Sequence, residues 1–368
     1  MSENRPDASG RMPPSAEQSA VRQENGLSSA ASQGAPQIAA VGAGRMGRGI
    51  ALAYALRGRR AAIVDFKPRE PRAWQALRQD ILSELALTLR QLAELGLTAA
   101  EPAEQVLGCI ELCSLDDAPR VLDAAQIIFE GVPETLEAKR DALGRLGGMA
   151  APDAIIASTT STMLASDLAP MVGNPRRFMN AHWLNPAYII PLVEVSAHPG
   201  TDPQAVACLR QSLESIGKVP VQCGCTPGYI VPRLQTLIMN EAARMVEENV
   251  ATPEEIDRAT RYGLGFRFAA IGVLEFIDYG GNDILYHANN YLAENLDASR
   301  YAMPDIVRRY MHEGRNGLRS ADGFRSYEGV DLEAYRRDVL ARALAMLRHI
   351  GLDHSAPINV AKNVAKGN

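Results

Sequence analysis

Short runs of consecutive apolar residues alternate with segments of helical spacing over the first two thirds of the chain. Four of these runs have strand length and stand at residues 37–41, 61–65, 125–130 and 154–158. The segments between them, such as residues 46–56 and 134–146, place apolar residues three and four positions apart. Apolar strands that alternate with helices are typical of a sheet covered on both faces. We therefore predict an α/β fold, with a mostly parallel, Rossmann-type doubly wound sheet that extends to about residue 223.

After residue 223 the pattern becomes helical. Apolar residues recur at helical spacing in residues 229–250, 284–292, 304–311 and 332–350. Thr252 followed by Pro253 is typical of a helix start. In the first half, residues 72–95 form a long amphipathic segment that predicts a helical excursion from the alternation. We predict four regions: a disordered tail (1–35), a Rossmann domain (36–223), an all-α C-terminal domain (224–350) and a flexible tail (351–368).

Composition excludes several classes of protein. The formal net charge over 368 residues is −5, without a block of Lys or Arg, so we expect no nucleic-acid partner. No apolar run approaches the roughly 18 residues that span a bilayer, so we expect no membrane partner. Residues 1–35 lack the apolar block of a secretory signal, which favours a cytoplasmic location. The five cysteines lack zinc-ligand spacing, so we predict no metal site.

A glycine turn follows the first predicted strand at once. Gly42, Gly44 and Gly47 have the spacing GxGxxG, and Met46 lies between the last two of them. In a Rossmann unit the first glycine permits a tight turn, and the second lets a pyrophosphate approach the backbone. The third glycine lets the helix pack on the strand. We assign these four residues to the binding of a dinucleotide.

An acidic residue ends the second predicted strand. Asp65 lies 18 residues after Gly47, where its carboxylate would accept hydrogen bonds from both hydroxyls of a ribose. A 2′-phosphate would meet like charge there, so Asp65 favours NAD over NADP. Lys67 and Arg69 follow closely and weaken the exclusion of NADP.

A histidine and a glutamate stand on either side of an Asn-Pro pair further along the chain. His182 lies twelve residues before Glu194, which stands in the apolar run 191–195. The pair Asn185-Pro186 between them can turn the chain back on itself. A histidine oriented by a carboxylate is the minimal device for moving a proton near neutral pH. Together with the glycine turn, the pair indicates a dehydrogenase; a purely structural role is the alternative.

Several motifs in register give the chain a family resemblance. They are GAGRMGRGIA at 42–51, PETLEAK at 133–139, STTST at 158–162, HWLNP at 182–186, PLVEV at 191–195, TPGYIVPRL at 226–234 and EEIDRATRYGLG at 254–265. Over about residues 37–328 the chain resembles the L-3-hydroxyacyl-CoA dehydrogenase family. The resemblance implies an oxidoreductase that uses NAD. The helical domain favours a homodimer, since such domains often associate through apolar faces.

The resemblance also implies catalytic roles. His182 would take the hydroxyl proton during oxidation and return it in the reverse direction. Glu194 would hold the imidazole in the required tautomer. Ser161 would hydrogen-bond the reacting oxygen of the substrate, and a helix cap is the alternative role for this serine.

Three further residues receive roles in the same way. Glu134 and Lys139 would lie beside the nicotinamide and its ribose, with an ordinary helix-surface pair as the alternative. Asn185 would order the turn near the substrate, with an Asx turn before Pro186 as the alternative.

Two departures from the family's pattern bear on the substrate. The family motif TPGFxxNR has an asparagine where this chain has Pro232, and proline supplies no hydrogen-bond donor. Because proline fits a helix only in its first turn, we expect the next helix to begin near Val231. The segment after Gly265 is three residues longer than in acyl-CoA members. This longer form looks more like the branch that acts on free hydroxy acids, such as L-gulonate 3-dehydrogenase and carnitine dehydrogenase.

A free acid needs a cation for its carboxylate, and Arg267 in the longer segment is our candidate. An interdomain or dimer salt bridge is the alternative role for Arg267. We therefore expect an NAD-dependent dehydrogenase that oxidises the 3-hydroxy group of a small hydroxy acid or reduces the 3-oxo form. The alternative substrate is a 3-hydroxyacyl thioester on CoA or a carrier protein, and the alternative function is non-catalytic NAD(H) binding.

Overall fold

The computed structural model describes residues 37–97 and 103–352. The predicted tail at residues 1–35, and residues 353–368 of the second predicted tail, lie outside these ranges. The chain divides into two compact units between Leu237 and Ile238. The domain boundary that we propose from the sequence, after residue 223, stands earlier in the chain.

Among the described residues, eight strands form one sheet in the first unit. They are β1 (Ile38–Val41), β2 (Ala61–Val64), β3 (Ile110–Cys113), β4 (Ile127–Glu130), β5 (Ile155–Ser158), β6 (Phe178–Trp183), β7 (Leu192–Ala197) and β8 (Val219–Cys223). Their order across the sheet is β3-β2-β1-β4-β5-β6-β7-β8. In this described sheet every neighbouring pair is parallel except β6 and β7. The predicted mostly parallel, doubly wound sheet is confirmed.

The sheet is buried from both faces, as its continuous apolar strands require. In β4, Ile127 and Phe129 belong to one buried cluster and Ile128 belongs to another. Neighbouring residues of a strand point to opposite faces, so the two clusters lie on the two faces of the sheet. Polar side chains enter this core near the strand ends, where Glu130 and Ser158 are both 0% exposed.

Helices connect the strands of the first unit. They are α1 (Arg45–Ala55), α2 (Pro71–Glu94), α3 (Ala103–Gly108), α4 (Ala118–Ala124), α5 (Leu136–Met149), α6 (Ala165–Leu168) and α7 (Pro203–Ser215), with short 3-10 turns at Ala169–Met171 and Pro175–Arg177. Helix α2 confirms the predicted excursion at residues 72–95. Helix α5 has Thr135 as its N-cap, whose hydroxyl accepts the N–H of Ala138 at 3.3 Å.

The second unit is helical. Helix α8 (Val231–Glu247) crosses the division between the units, and the elements after it are α9 (Pro253–Ala259), a π-helical turn (Thr260–Gly265), α10 (Phe266–Ala270), α11 (Val273–Gly280), α12 (Asn282–Asn295), α13 (Asp305–His312) and α14 (Leu332–His349). Within the described ranges its β-structure is limited to two isolated bridges. The predicted all-α C-terminal domain is confirmed. No helix in the described ranges is long and apolar enough to cross a membrane.

Candidate active site

The glycine turn between β1 and α1 leaves the backbone open to a ligand. Gly42 has φ +108°, and a Cβ there would lie 2.6 Å from the carbonyl oxygen of Gly131. A Cβ on Gly47 would lie 2.0 Å from the carbonyl oxygen of Gly42, so helix and turn pack too closely for a side chain. A Cβ on Gly44 would meet nothing within 4 Å. A phosphate therefore has open access to the backbone at Gly44.

The first turn of α1 faces the same ligand space. Gly44 is the N-cap, and among the described residues no side chain caps the helix. The first turn contains no acidic residue. The positive end of the helix dipole is therefore available to an anion. Met46 lies in this turn and packs, partly buried, against the core.

A cavity of about 360 Å³ lies beside the turn. Asp65 lines it, is 4% exposed, and pairs through its carboxylate with the guanidinium of Arg69. Phe66 also lines it, with the guanidinium of Arg145 at 4.0 Å from the ring centroid. The Asp65 carboxylate suits the hydroxyls of a ribose, while Arg69 offsets part of its charge.

Strands β6 and β7 place His182 and Glu194 directly opposite each other. The strands pair antiparallel with these two residues in register, and Nδ1 of His182 lies 2.8 Å from Oε2 of Glu194. His182 is 5% exposed and Glu194 is 0% exposed. The Asn185–Pro186 peptide in the connection is cis. The hairpin thus brings two residues that are twelve positions apart into a hydrogen bond sheltered from water.

The other carboxylate oxygen of Glu194 is held by the start of α8. Its Oε1 accepts the backbone N–H groups of Ile230 and Val231 at 2.9 and 2.8 Å. Burial raises the pKa of Glu194, but the hydrogen bonds from His182 and from these N–H groups outweigh burial and lower the pKa. Because an ionised carboxylate only accepts hydrogen bonds, Nδ1 of His182 carries the hydrogen. In a neutral imidazole Nε2 is then the nitrogen that can accept a hydrogen bond.

Ser161 lies in the loop after β5, and Glu134 holds the backbone of that loop. Oε1 of Glu134 accepts the N–H groups of Ser161 and Thr162 at 3.0 and 3.2 Å, and it also accepts the hydroxyl of Thr160. Ser161 is exposed, and no described residue bonds its hydroxyl. Helix α6 has Leu164 as its N-cap, so Ser161 is not a helix cap. The Ser161 hydroxyl is therefore presented to solvent on a fixed loop.

Lys139 of α5 is fully buried next to Glu130 and Glu134. Its Nζ donates to both carboxylate oxygens of Glu130, at 2.9 and 3.0 Å, and lies 3.6 Å from Oε2 of Glu134. Ser158 donates its hydroxyl to Glu130 at 2.6 Å. The alternative of an ordinary surface pair is wrong, because Lys139 is 0% exposed. Sequence reasoning missed Glu130 and Ser158; the available signal was a polar residue at the end of each apolar strand.

Asn185 does not join these groups. Its side chain is exposed and makes no hydrogen bond with any described residue. The alternative Asx turn before Pro186 is therefore not formed in the described chain. Asn185 lies between the strands that carry His182 and Glu194, and its role near a substrate stays a prediction.

Sequence reasoning also missed two buried neighbours of His182. The ring of Tyr229 stacks on the imidazole with the centroids 5.3 Å apart. Asn180 donates its side-chain N–H to the hydroxyl of Tyr229 at 2.9 Å. The sequence signal for Asn180 was a polar residue inside an apolar strand, two positions before His182 and so on the same face of the sheet.

Comparison with known proteins identifies the family. The profile described as the NAD binding domain of 3-hydroxyacyl-CoA dehydrogenase matches residues 37–226, and the profile of the C-terminal domain matches residues 228–327. The chain belongs to this family. It is an oxidoreductase with NAD as its cofactor, as the sequence predicted. The open backbone at Gly44, the uncapped start of α1 and the carboxylate of Asp65 fit that cofactor.

Individual relatives match over most of their length. The chain is 30% identical to 5-formyl-3-hydroxy-2-methylpyridine 4-carboxylate 5-dehydrogenase of Mesorhizobium japonicum, over 85% of this chain and 97% of that protein. It is 33% identical to L-carnitine dehydrogenase of a Pseudomonas species, over 85% of this chain and 94% of that protein. The crystal structure of a 3-hydroxyacyl-CoA dehydrogenase from Archaeoglobus fulgidus matches with a TM-score of 0.67 at 28% identity, over 86% and 99% of the two chains.

This member of the 3-hydroxyacyl-CoA dehydrogenase family has Pro232 at the second position of α8, which begins at Val231 as predicted. A proline in the first turn of a helix removes no helical hydrogen bond. The N–H groups of Ile230 and Val231 just before it are taken by Glu194. The proline is thus compatible with the helix start, but it offers no amide to a substrate.

Arg267 lies on α10, directly after the π-helical turn. Its guanidinium lies 4.5 Å from the centroid of the Phe276 ring. Arg267 is exposed, and among the described residues of its own unit no carboxylate pairs with it. A guanidinium over an aromatic face keeps its N–H edge available for a carboxylate.

Proposed function

We propose that the protein catalyses NAD-dependent oxidation of the 3-hydroxy group of a small free hydroxy acid, or reduction of the matching 3-oxo acid. The observation that carries the proposal is the buried hydrogen bond of 2.8 Å between His182 and Glu194. This pair sits on the same sheet as a turn that fits NAD. A proton acceptor and a dinucleotide site together support the oxidation of an alcohol.

His182 handles the proton in this proposal. Bound NAD supplies the acceptor for the hydride that leaves the carbinol carbon. Nε2 of His182 takes the hydroxyl proton while the oxygen becomes a carbonyl, and ionised Glu194 stabilises the resulting imidazolium. Ser161 donates its hydroxyl to the reacting oxygen and holds the substrate in position. In the reductive direction His182 returns the proton to the same oxygen.

Two observations favour a free acid over a thioester. The names of the two sequence relatives denote a pyridine carboxylate and carnitine, and both compounds carry a free carboxylate. Arg267 is an exposed cation, and it lies in the segment whose form resembles that of the free-hydroxy-acid branch. The similarity to the Archaeoglobus fulgidus 3-hydroxyacyl-CoA dehydrogenase supports the thioester alternative.

Substrate screening with the purified protein tests the proposed class. NAD reduction is followed with L-gulonate, L-carnitine and 3-hydroxybutyrate, and NADH oxidation is followed with 3-oxobutyryl-CoA. Turnover on a free acid alone is the expected result. Turnover on the thioester alone would replace the proposal with the thioester alternative. NADH binding without turnover on any of the four compounds would favour the non-catalytic alternative.

Arg267→Met tests the carboxylate site. The variant is expected to raise KM for the free acid about tenfold or more, since a charge-assisted hydrogen bond contributes at least about tenfold in affinity. The KM for the uncharged amide of the same acid should change less than twofold. Arg261→Met, which removes an exposed arginine from the preceding π-helical turn, is the matched control. An equal rise in KM for acid and amide would exclude a contact between Arg267 and the carboxylate.

We also propose a cytoplasmic homodimer. Helix α8 exposes the apolar side chains of Leu234, Leu237 and Ile238, which a second copy would cover. Light scattering should give a mass near twice the chain mass of 39.8 kDa. A mass equal to that of one chain at micromolar concentration would contradict the dimer.

A further inference from the structure

Tyr229 is held in an unusual backbone conformation beside the histidine. It has φ +44°, in the left-handed region that bulky side chains rarely adopt, and it follows Gly228 with φ +75°. Its side chain is only 4% exposed. Such a conformation persists only where the surrounding structure enforces it. In Tyr229 the contacts that hold this conformation are those of its ring with His182 and of its hydroxyl with Asn180 and Thr160.

The Tyr229 ring covers one face of the catalytic imidazole. The rings of Tyr229 and His182 stack with an interplanar angle of 25° and a centroid distance of 5.3 Å. The hydrogen bond to Glu194 fixes one nitrogen of the imidazole but leaves the ring free to pivot about that bond. A ring packed on one face restricts this pivot. The tyrosine therefore constrains a motion that the carboxylate does not.

The hydroxyl of Tyr229 ties the ring to strand β6 and to the loop after β5. It donates to the backbone oxygen of Thr160 at 3.0 Å, next to Ser161, and it accepts the side-chain N–H of Asn180 at 2.9 Å. Asn180 is 0% exposed and also donates to the backbone oxygen of Met163 at 2.9 Å. Burial raises the pKa of Tyr229, so the hydroxyl stays protonated at neutral pH.

We propose that Tyr229, tethered by Asn180 and by the Thr160 carbonyl, is a positioning residue that aims Nε2 of His182 at the reacting hydroxyl. The same tether links the Ser161 loop to the start of α8, because Tyr229 directly precedes the N–H groups of Ile230 and Val231 that hold Glu194. Ser161, which donates a hydrogen bond to the reacting oxygen, and His182, which takes the proton, are thereby held in a fixed position relative to each other. This inference rests on the proposed acid–base role of His182.

Two substitutions separate the ring from its tether. Tyr229→Phe keeps the stacked ring and removes the hydroxyl, whereas Tyr229→Leu removes both. A misplaced catalytic group can lose about 100-fold in rate, so we expect kcat to fall about 10- to 100-fold in Tyr229→Leu and by a smaller factor in Tyr229→Phe. The KM for NAD should stay within about twofold in both variants, because neither change touches the glycine turn.

A matched control comes from a second buried tyrosine of the same unit. Tyr54 is 1% exposed, and its hydroxyl lies 2.9 Å from that of Ser212. Tyr54→Phe removes a buried, hydrogen-bonded hydroxyl as Tyr229→Phe does, but it lies apart from His182. We expect the two Phe variants to lose similar thermal stability, while only Tyr229→Phe loses kcat. Equal kcat in the two Phe variants would reduce the Tyr229 tether to a structural role.

A double-variant cycle tests whether Tyr229 acts through His182. On the His182→Ala background, Tyr229→Leu should lower the residual kcat less than twofold, since no imidazole remains to be positioned. A loss as large as that in the wild-type background would overturn the inference. If His182→Ala alone leaves kcat unchanged, the proposed function fails instead, so the two failures are distinguishable. Should Tyr229→Leu not fold, the same cycle with Tyr229→Phe decides the question.

Discussion

The glycine turn and the His182 site lie on one sheet but are built in opposite ways. The turn is a contiguous stretch within residues 38–65, and it offers backbone N–H groups and an empty space at Gly44. The His182 site draws on groups from separate segments: the carboxylate of Glu194, the ring of Tyr229 and backbone N–H groups at the start of α8. The glycine turn works because glycine has no side chain. The His182 site works because the pairing of distant strands brings its side chains together.

This difference determines what each site tolerates. Any Cβ at Gly42 or Gly47 collides with backbone, so the turn fails through steric conflict. The His182 site fails when its geometry is lost, because hydrogen bonds among the loop after β5, strands β6 and β7 and the start of α8 hold its members in place. Changes in the turn should therefore act on cofactor affinity or folding, and changes around His182 should act on kcat.

The largest effect is expected from His182→Ala. Loss of a general base or acid lowers kcat by about 10²- to 10⁴-fold, while the Kd for NADH should stay within about twofold. Fluorescence titration of NADH and steady-state kinetics measure the two quantities. His198→Ala is the matched control, since His198 bonds the backbone oxygen of Pro175 at 2.8 Å and takes no part in the site. Retention of wild-type kcat in His182→Ala would contradict the expectation that changes around His182 act on kcat, whereas changes in the glycine turn act on cofactor affinity or folding.

Glu194→Gln should have the next largest effect. The amide donates as well as accepts, so it cannot serve both Nδ1–H of His182 and the N–H groups of Ile230 and Val231 as the carboxylate does. Loss of the correct tautomer should lower kcat by about 100-fold, with the KM for NAD unchanged. A kcat loss below twofold would show that Glu194 does not orient the histidine.

The pH dependence of thermal stability in Glu194→Gln gives a second test of the Glu194 carboxylate. The pKa of Glu194 is lowered in the folded protein relative to an unfolded value near 4.3. Its ionised form therefore contributes stability that is present above about pH 4.3 and is lost as the pH falls through the folded pKa. The Tm of the wild-type protein should fall more steeply below about pH 4.3 than the Tm of Glu194→Gln. Parallel Tm curves would contradict an ionised, hydrogen-bonded Glu194.

The sequence predicted the glycine turn well because everything it needs is local. Strand, three glycines, helix and the acid Asp65 follow each other within one unit of the chain, and Gly42 and Gly47 have a steric reason for their positions. The approach of Glu194 to His182 was also predictable, since the Asn-Pro pair between them indicates a turn that folds the chain back, and the observed register then sets the two residues opposite each other. The long helix at residues 72–95 followed from its periodicity.

The rest of the site depends on which strands become neighbours. Glu130, Ser158 and Asn180 stand at equivalent positions of β4, β5 and β6, and the register pairs Glu130 with Ser158 and Ser158 with Asn180. No pattern within one strand shows that register. Tyr229 reaches Asn180 from just before α8, 49 positions later in the chain. Sequence reasoning could find the polar residues but not the contacts that give them a role.

A pair of glycine variants separates folding from cofactor binding within the turn. Gly42→Ala places a Cβ 2.6 Å from a backbone oxygen at φ +108°, which should cost about 1–3 kcal/mol and lower Tm. Gly44→Ala meets nothing within 4 Å, so its Tm should stay near that of the wild-type protein. Its methyl group would occupy the space that a pyrophosphate approaches and raise the Kd for NAD about tenfold. A lower Tm in Gly44→Ala than in Gly42→Ala would contradict this division.

The smallest effect is expected from Asp65→Ala, and it concerns the choice of cofactor. Removing the carboxylate ends the repulsion of a 2′-phosphate and frees the guanidinium of Arg69, which pairs with Asp65. The ratio of kcat/KM for NADP to that for NAD should rise about fivefold to tenfold, since one charge-assisted contact is exchanged for another. Adding Arg69→Gln should cancel the gain with NADP while leaving the loss with NAD. An unchanged ratio in Asp65→Ala would show that Asp65 does not contact the ribose, and the discrimination would then rest on the backbone of the turn.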